Sequence, residues 1–253
     1  MKMKGLIRLV PRVMDTSFDN RRQPMDSDGN HHRRNPACAA LRLLVCCAVL
    51  INCPATGSAE PLPAGFVHVD TMIDGLAVDM RYFTTGNFVG ERIDGYEGSR
   101  CILTEPAARA LGAVQEKLRP LGLGLKVFDC YRPQRAVDHF ARWAKAPETG
   151  ATKAAFYPGV DKSDLFVQGC IVAQSSHSRG SAVDVTLMGG SSGGPDPDTG
   201  VDMGTRFDLF DRASWPDYGG LSFQQRANRL LLRLIMEKHG FLPYPKEWWH
   251  FRL

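Results

Sequence analysis

A polar, glycine-bearing loop runs straight into an alternating strand between Ser175 and Leu187. The loop is Ser175-Ser176-His177-Ser178-Arg179-Gly180-Ser181, and Ala182-Val183-Asp184-Val185-Thr186-Leu187 follows it. Side chains alternate across a strand, so the valines and Leu187 face one way while Asp184 and Thr186 face the other. Such a strand needs an apolar layer behind it and leaves a carboxylate standing in front. Two more short runs, 123–128 and 248–253, have strand character. Three helices are predicted around them. The first spans about Glu105 to Arg119, with Thr104 as N-cap, a stripe of Ala107, Leu111, Val114 and Leu118, and Pro120 as its stop. The second starts at Pro133 and buries Val137, Phe140 and Trp143. The third runs from about Phe223 to His239. Ser222 and Gln225 have capping-box spacing there, Phe223, Ala227, Leu230, Leu231, Leu234 and Ile235 form the expected buried face, and Gly240 is the stop. Helices and strands do not alternate regularly, which predicts an α+β fold with helices packed on a largely antiparallel sheet.

Residues 1–59 stand apart from this pattern. A polar, basic stretch ending in Arg33-Arg34 precedes the apolar run Ala37 to Ile51, and small residues follow at Gly57-Ser58-Ala59. That is the layout of a secretory signal peptide. The run falls short of the ~20 apolar residues that span a bilayer, so an uncleaved anchor is the lesser reading. Met25 is an alternative start, and Cys53 a weak lipidation candidate because Asn52 replaces the usual small residue. The expected product is an exported, periplasmic domain over 60–253. Four of the seven cysteines (Cys38, Cys46, Cys47, Cys53) lie in the leader, leaving Cys101, Cys130 and Cys170. An oxidising compartment permits one disulfide among these three. Charged residues make up 23% of the chain and the net charge is only +4, with no basic patch, so nucleic acid is not an expected partner. Membrane contact is expected only through an uncleaved leader. The Gly- and Pro-rich stretch 189–200 reads as a surface turn.

Three groups carry candidate chemistry. His177 lies in the polar loop, Asp184 on the strand after it, and Glu247-Trp248-Trp249-His250 near residue 250. Two imidazoles and a carboxylate are a sound zinc set that leaves one position open for water. A glutamate outside that set is then free to act as general base. Each piece alone has a plainer explanation: a solvated histidine, or an aspartate that only accepts hydrogen bonds. In a strand, Glu247 and His250 would face opposite ways, so Glu247 is expected at the strand's first position, after the break at Pro243-Tyr244-Pro245. Trp248 and Trp249 read as core and pocket wall.

Four segments in order resemble the D-alanyl-D-alanine dipeptidases, the family that includes the vancomycin-resistance dipeptidase. They are Asp94-Gly95-Tyr96, Asp129-Cys130-Tyr131-Arg132-Pro133, Ser175 through Thr186, and Glu247-Trp248-Trp249-His250. The segment Met203-Gly204-Thr205-Arg206-Phe207-Asp208 is similar too, and the likeness covers about Phe66 to Leu253. The resemblance implies a hedgehog/D-Ala-D-Ala metallopeptidase-like fold with one Zn2+ per chain, held by His177, Asp184 and His250. It implies Glu247 as catalytic base and Arg132 as the group that steadies the oxyanion. It also implies Ser175 and Asp208 at the substrate's amino terminus. Without it, Arg132 reads as a surface salt-bridge residue.

The expected activity is zinc-dependent hydrolysis of free D-Ala-D-Ala to two D-alanines, with the small dipeptide as partner. The alternatives are a D,D-carboxypeptidase acting on peptidoglycan stem peptides, which Asp208 speaks against, and a non-catalytic zinc-stabilised module, which Glu247 and Arg132 speak against. Cys130 is expected to be a buried thiol, because a bond there would tether the segment carrying Arg132. The expected disulfide is Cys101–Cys170, both in loops flanking the candidate site.

Overall fold

The computed structural model describes residues 62–189 and 200–253. The leader and most of the 189–200 turn lie outside them. Strand β1 (Phe66–His68) leads to β2 (Ala77–Val78) and β3 (Ile102–Thr104). Helix α1 (Glu105–Leu118), β4 (Leu123–Asp129) and α2 (Gln134–Lys145) follow, then the single turn α3 (Lys153–Phe156). Strand β5 (Ala182–Gly189), α4 (Phe223–Lys238), β6 (Leu242–Tyr244) and β7 (Glu247–Arg252) complete the order. The main sheet runs β2-β4-β5-β7-β6, and β1 pairs with β3 in a small second sheet. Only β2–β4 is parallel; β4–β5, β5–β7 and β6–β7 are antiparallel. The expected α+β architecture holds.

Local sequence explains most boundaries. Ala107, Leu111, Val114 and Leu118 are all fully buried on α1, as the stripe predicts. Beyond α1 the chain tightens through Arg119–Leu121 and leaves by Gly122 at φ 68°, a conformation that costs glycine little. Helix α2 buries Val137 and Phe140, whereas Trp143 stays half-buried. On α4 the Ser222–Gln225 capping box forms in full.

The buried face of α4 is a correction. Arg229, Leu232 and Met236 point inward, while Phe223, Leu230 and Leu234 are exposed. Arg229 turns the helix. Its guanidinium donates to the carbonyls of Met203 (2.6 Å) and Trp215 (2.8 Å) and to Thr205 Oγ1 (3.3 Å). Burying these acceptors without partners would cost on the order of 1–3 kcal/mol each, enough to outweigh exposing a few leucines. The same bonds pin the loop that carries Asp208.

The disulfide is a second correction. Cys101 bonds to Cys130, with Cα atoms 5.3 Å apart, and Cys170 is the free thiol among the described residues. The segment after β4 runs alongside the start of β3, where the Tyr131 amide donates to the Ile102 carbonyl at 2.9 Å. That contact brings the two fully buried cysteines together. Cys170 instead lies on the wall of the cleft described below. Tethering of the Arg132 segment, the reason for setting Cys130 aside, is what the fold adopts.

Candidate active site

Side by side, β5 and β7 place Asp184 opposite His250. His177 comes from the 3-10 turn Ser176–Arg179, just before β5. The Ser175 hydroxyl caps this turn by accepting from the His177 amide (3.3 Å). Gly180 closes it at φ 71°, and a Cβ there would sit 2.3 Å from the Phe66 ring, so a side chain is excluded on two grounds.

Ligand atoms of His177, Asp184 and His250 lie within 4.8 Å of one another. His250 Nδ1 is 2.9 Å from Asp184 Oδ1, and His177 Nε2 is 3.0 Å from His250 Nδ1. An outer contact fixes the tautomer of His177. His177 Nδ1 stands 2.7 Å from the Cys130 carbonyl, which only accepts, so Nδ1 carries the proton and Nε2 presents its lone pair. His250 Nε2 is 3.1 Å from Ser176 Oγ, and its Nδ1 is the ring nitrogen that faces Asp184 and His177. Asp184 is buried; desolvation alone would raise its pKa, but the two imidazoles outweigh that and hold the carboxyl well below the usual range. Two aimed ring nitrogens and an ionised carboxylate suit a zinc-like cation.

A cavity of about 430 Å³ opens over these three residues. Arg132, Ser175, Asp208 and Glu247 line it as well. The structure therefore gathers the seven metal, catalytic and substrate-binding candidates at one place. Glu247 is the first residue of β7, beside an irregularity in the β6–β7 register at Pro243/Tyr244, and it shares the cavity with His250 as the spacing argument required. Desolvation pushes Glu247 up to about 8, against the pull of His250. Trp249 forms pocket wall, as expected.

Arg132 is not a surface salt-bridge residue. Its Nε and terminal nitrogen contact Asp129 Oδ2 at 2.9 and 2.7 Å, and its side chain is 13% exposed. The guanidinium also lies over the Tyr82 ring, 4.9 Å from the centroid. Burial works against its charge; Asp129, with smaller help from Tyr82, Tyr96 and Asp184, more than restores it.

Asp208 is 3% exposed and adopts φ 60°, a left-handed conformation that Asp tolerates better than most residues. Its two oxygens accept from Tyr82 Oη at 3.2 and 3.0 Å. Burial, with the nearby Asp184 charge adding, pushes its pKa up to about 8.

Four supporting residues went unassigned in the sequence. Tyr82 reaches Asp208; Ser176 reaches His250. Asp129 holds Arg132 and lies 3.5 Å from His177 Nδ1, and Tyr96 donates to Asp129 at 2.6 Å. The Asp129–Arg132 spacing and the Asp94-Gly95-Tyr96 segment were the available signals. Nothing around Tyr82 marks it.

Comparison with known proteins follows this geometry. A family described as D-ala-D-ala dipeptidase matches residues 63–253. A D-alanyl-D-alanine dipeptidase of Enterococcus faecalis is 43% identical over 191 residues, covering 75% of this chain and 91% of that protein. One from Streptomyces coelicolor is 42% identical over 188 residues, covering 74% and 91%. One from Escherichia coli is 30% identical, covering 74% and 83%. A solved zinc complex of a vancomycin-resistance D,D-pentapeptidase is a distant match, 17% identical with a TM-score of 0.32, over 60% of this chain and 72% of that one.

Proposed function

The chain belongs to the D-alanyl-D-alanine dipeptidase family of zinc metallopeptidases, and from that membership we propose that it hydrolyses the free dipeptide D-Ala-D-Ala to two D-alanines. His177, Asp184 and His250 are the residues that would hold the zinc. When bound, zinc supplies Lewis acidity, polarising the substrate carbonyl and acidifying the attacking water.

The protein's own groups carry the rest. Glu247 takes the proton as the water oxygen attacks the peptide carbonyl, then delivers it to the departing amine nitrogen as the C–N bond breaks. A group whose pKa burial has raised suits both halves of that task. Arg132, held rigid by Asp129, offers a guanidinium to the oxygen on which charge develops. Asp208 takes the substrate's ammonium, and Ser175, its hydroxyl already in the turn, adds a polar group to the same cavity.

The observation that carries the dipeptidase reading over a carboxypeptidase one is Asp208, buried in the cleft with no cation hydrogen-bonded to it among the described residues. A free amino terminus supplies the cation that favours the ionised form of Asp208; an N-acylated chain supplies none. The test is turnover of D-Ala-D-Ala, L-Ala-L-Ala and N-acetyl-D-Ala-D-Ala, with and without a chelator. Chelator-sensitive cleavage confined to the free D,D-dipeptide supports the reading, and preferred cleavage of the acetylated substrate overturns it.

The site of action is proposed to be outside the cytoplasm, where the enzyme would scavenge or recycle cell-wall dipeptide. The signal-like pattern of residues 33–59 and a buried disulfide favour this. Among the described residues, no helix is long and apolar enough to cross a membrane. N-terminal sequencing of the secreted protein checks the cleavage site.

A further inference from the structure

Two guanidinium groups on the cleft wall are left over by this chemistry. Arg179 ends the turn that begins with Ser176, two residues after His177, and Arg252 stands two residues after His250 on β7. Residues two apart on a strand share a face, so Arg252 projects from the sheet face that carries His250. Both arginines line the cavity and both are exposed. Neither side chain has a hydrogen bond or ion pair among the described residues. Arg132, the third guanidinium of the cleft, is by contrast tied to Asp129 at 2.7 Å.

Charge in the cleft is thus sorted by depth. The Asp208 carboxyl is buried, whereas Arg179 and Arg252 are exposed. A dipeptide is a zwitterion whose ends flank the bond to be cut. With its ammonium on Asp208 and its carbonyl by the metal ligands, its carboxylate still needs a cationic partner, and Arg179 and Arg252 are the guanidiniums of the cavity left to supply one. We propose that Arg179 and Arg252 receive the substrate's free C-terminal carboxylate, so that the cleft selects for a free acid at one end as it does for a free amine at the other. The inference rests on the dipeptidase reading and adds a specificity element to it. Guanidinium suits the task because its planar fork matches a carboxylate.

The test compares D-Ala-D-Ala with its C-terminal amide, using Arg179→Ala, Arg252→Ala and the double variant. On the acid, the double variant should lose about 10- to 100-fold in kcat/KM, the scale of charge-assisted hydrogen bonds, and carry the loss in KM. On the amide the loss should stay within about threefold, as expected where no charged partner exists. The paired lysine substitutions should recover part of the loss on the acid, since they restore charge without the fork. Zinc content and melting temperature separate this from damage to the metal site. Equal losses on acid and amide, or no loss on either, overturn the proposal. So does a loss that vanishes at about 0.5 M salt, because that signals long-range steering rather than contact. Wild-type turnover of D-Ala-D-Ala judges the dipeptidase reading separately; the acid-to-amide ratio judges the arginines on whichever dipeptide the wild type cleaves.

Discussion

Asp184 and Asp208 are two carboxylates in one cavity, 2% and 3% exposed, and they behave in opposite ways. Asp184 lies on the sheet between two imidazoles and is held ionised. Asp208 lies off the sheet, on the cavity wall formed by the loop between β5 and α4, with a tyrosine hydroxyl for company, and its pKa climbs to about 8. Equal burial with unequal partners gives opposite charge preferences, which is the general rule for desolvated acids. The sheet side is complete in the protein and a cation. The wall side stays incomplete until a positively charged ligand arrives.

Breaking the sheet side should have the largest effect. His177→Ala or Asp184→Asn should empty the site of zinc and cost about 1000-fold in kcat, the scale of losing a Lewis acid. Metal analysis beside a rate assay measures both, and full activity after exhaustive chelation would refute the assignment. Glu247→Gln should cost at least about 100-fold while zinc remains. Zinc lost from a well-folded Glu247→Gln protein would make Glu247 a ligand instead.

Breaking the wall side should be gentler and selective. Asp208→Asn should lower kcat/KM for free D-Ala-D-Ala about 100-fold, as expected when a buried ammonium loses its partner, and barely touch the N-acetylated peptide. Parallel progress curves on the two substrates decide it.

The contrast also has a signature in pH. Glu247 and Asp208 both have raised pKa values, so both gain protons as pH falls toward neutrality and below. Catalysis and ammonium binding need them ionised, so the rate falls with falling pH. A bound cation favours the ionised forms and moves that acid limb below about 8. For the free dipeptide, the limb of log kcat/KM should approach a slope of about two, one proton for each carboxyl. Asp208→Asn should flatten it to about one. A one-proton limb in the wild type would deny Asp208 its role.

The smallest effect is expected from the Cys101–Cys130 bond. Removing it by the paired alanine substitutions frees the segment whose carbonyl orients His177. Zinc affinity should drop by about 10-fold, typical of losing an outer partner of a ligand. Competition with a coloured chelator reads this directly.

Residue types and spacing offered His177, Asp184, His250 and Glu247 as candidates, but the resemblance to the dipeptidases settled their roles, and it alone pointed to Arg132, Ser175 and Asp208. His177, Asp184 and His250 sit on or beside strands whose alternation fixes their direction, and Glu247 sits where a proline-flanked break permits a turn. What escaped depended on contacts between distant segments. Tyr82 meets Asp208 across 126 positions, and no local pattern marks such a pair. The cysteine pairing was misjudged because loop character was weighed and the run of β4 beside β3 was not visible. The face of α4 was misjudged because only apolar residues were placed on it, whereas Arg229 is buried and its donors feed three acceptors in the loop it anchors.

The cysteine clasp also bears on the order in which the molecule comes together. It joins positions 29 apart, whereas the His177–Asp184 pair must wait for His250, 66 positions beyond Asp184. Short loops close with less entropic penalty than long ones. In a chain that emerges from its amino-terminal side, the clasp has both halves in hand long before the final ligand arrives. Oxidation can therefore set the Cys130 carbonyl in place first, and the last histidine then docks onto a site whose opposite half is already rigid. Biogenesis, in that sense, runs from sulfur to metal.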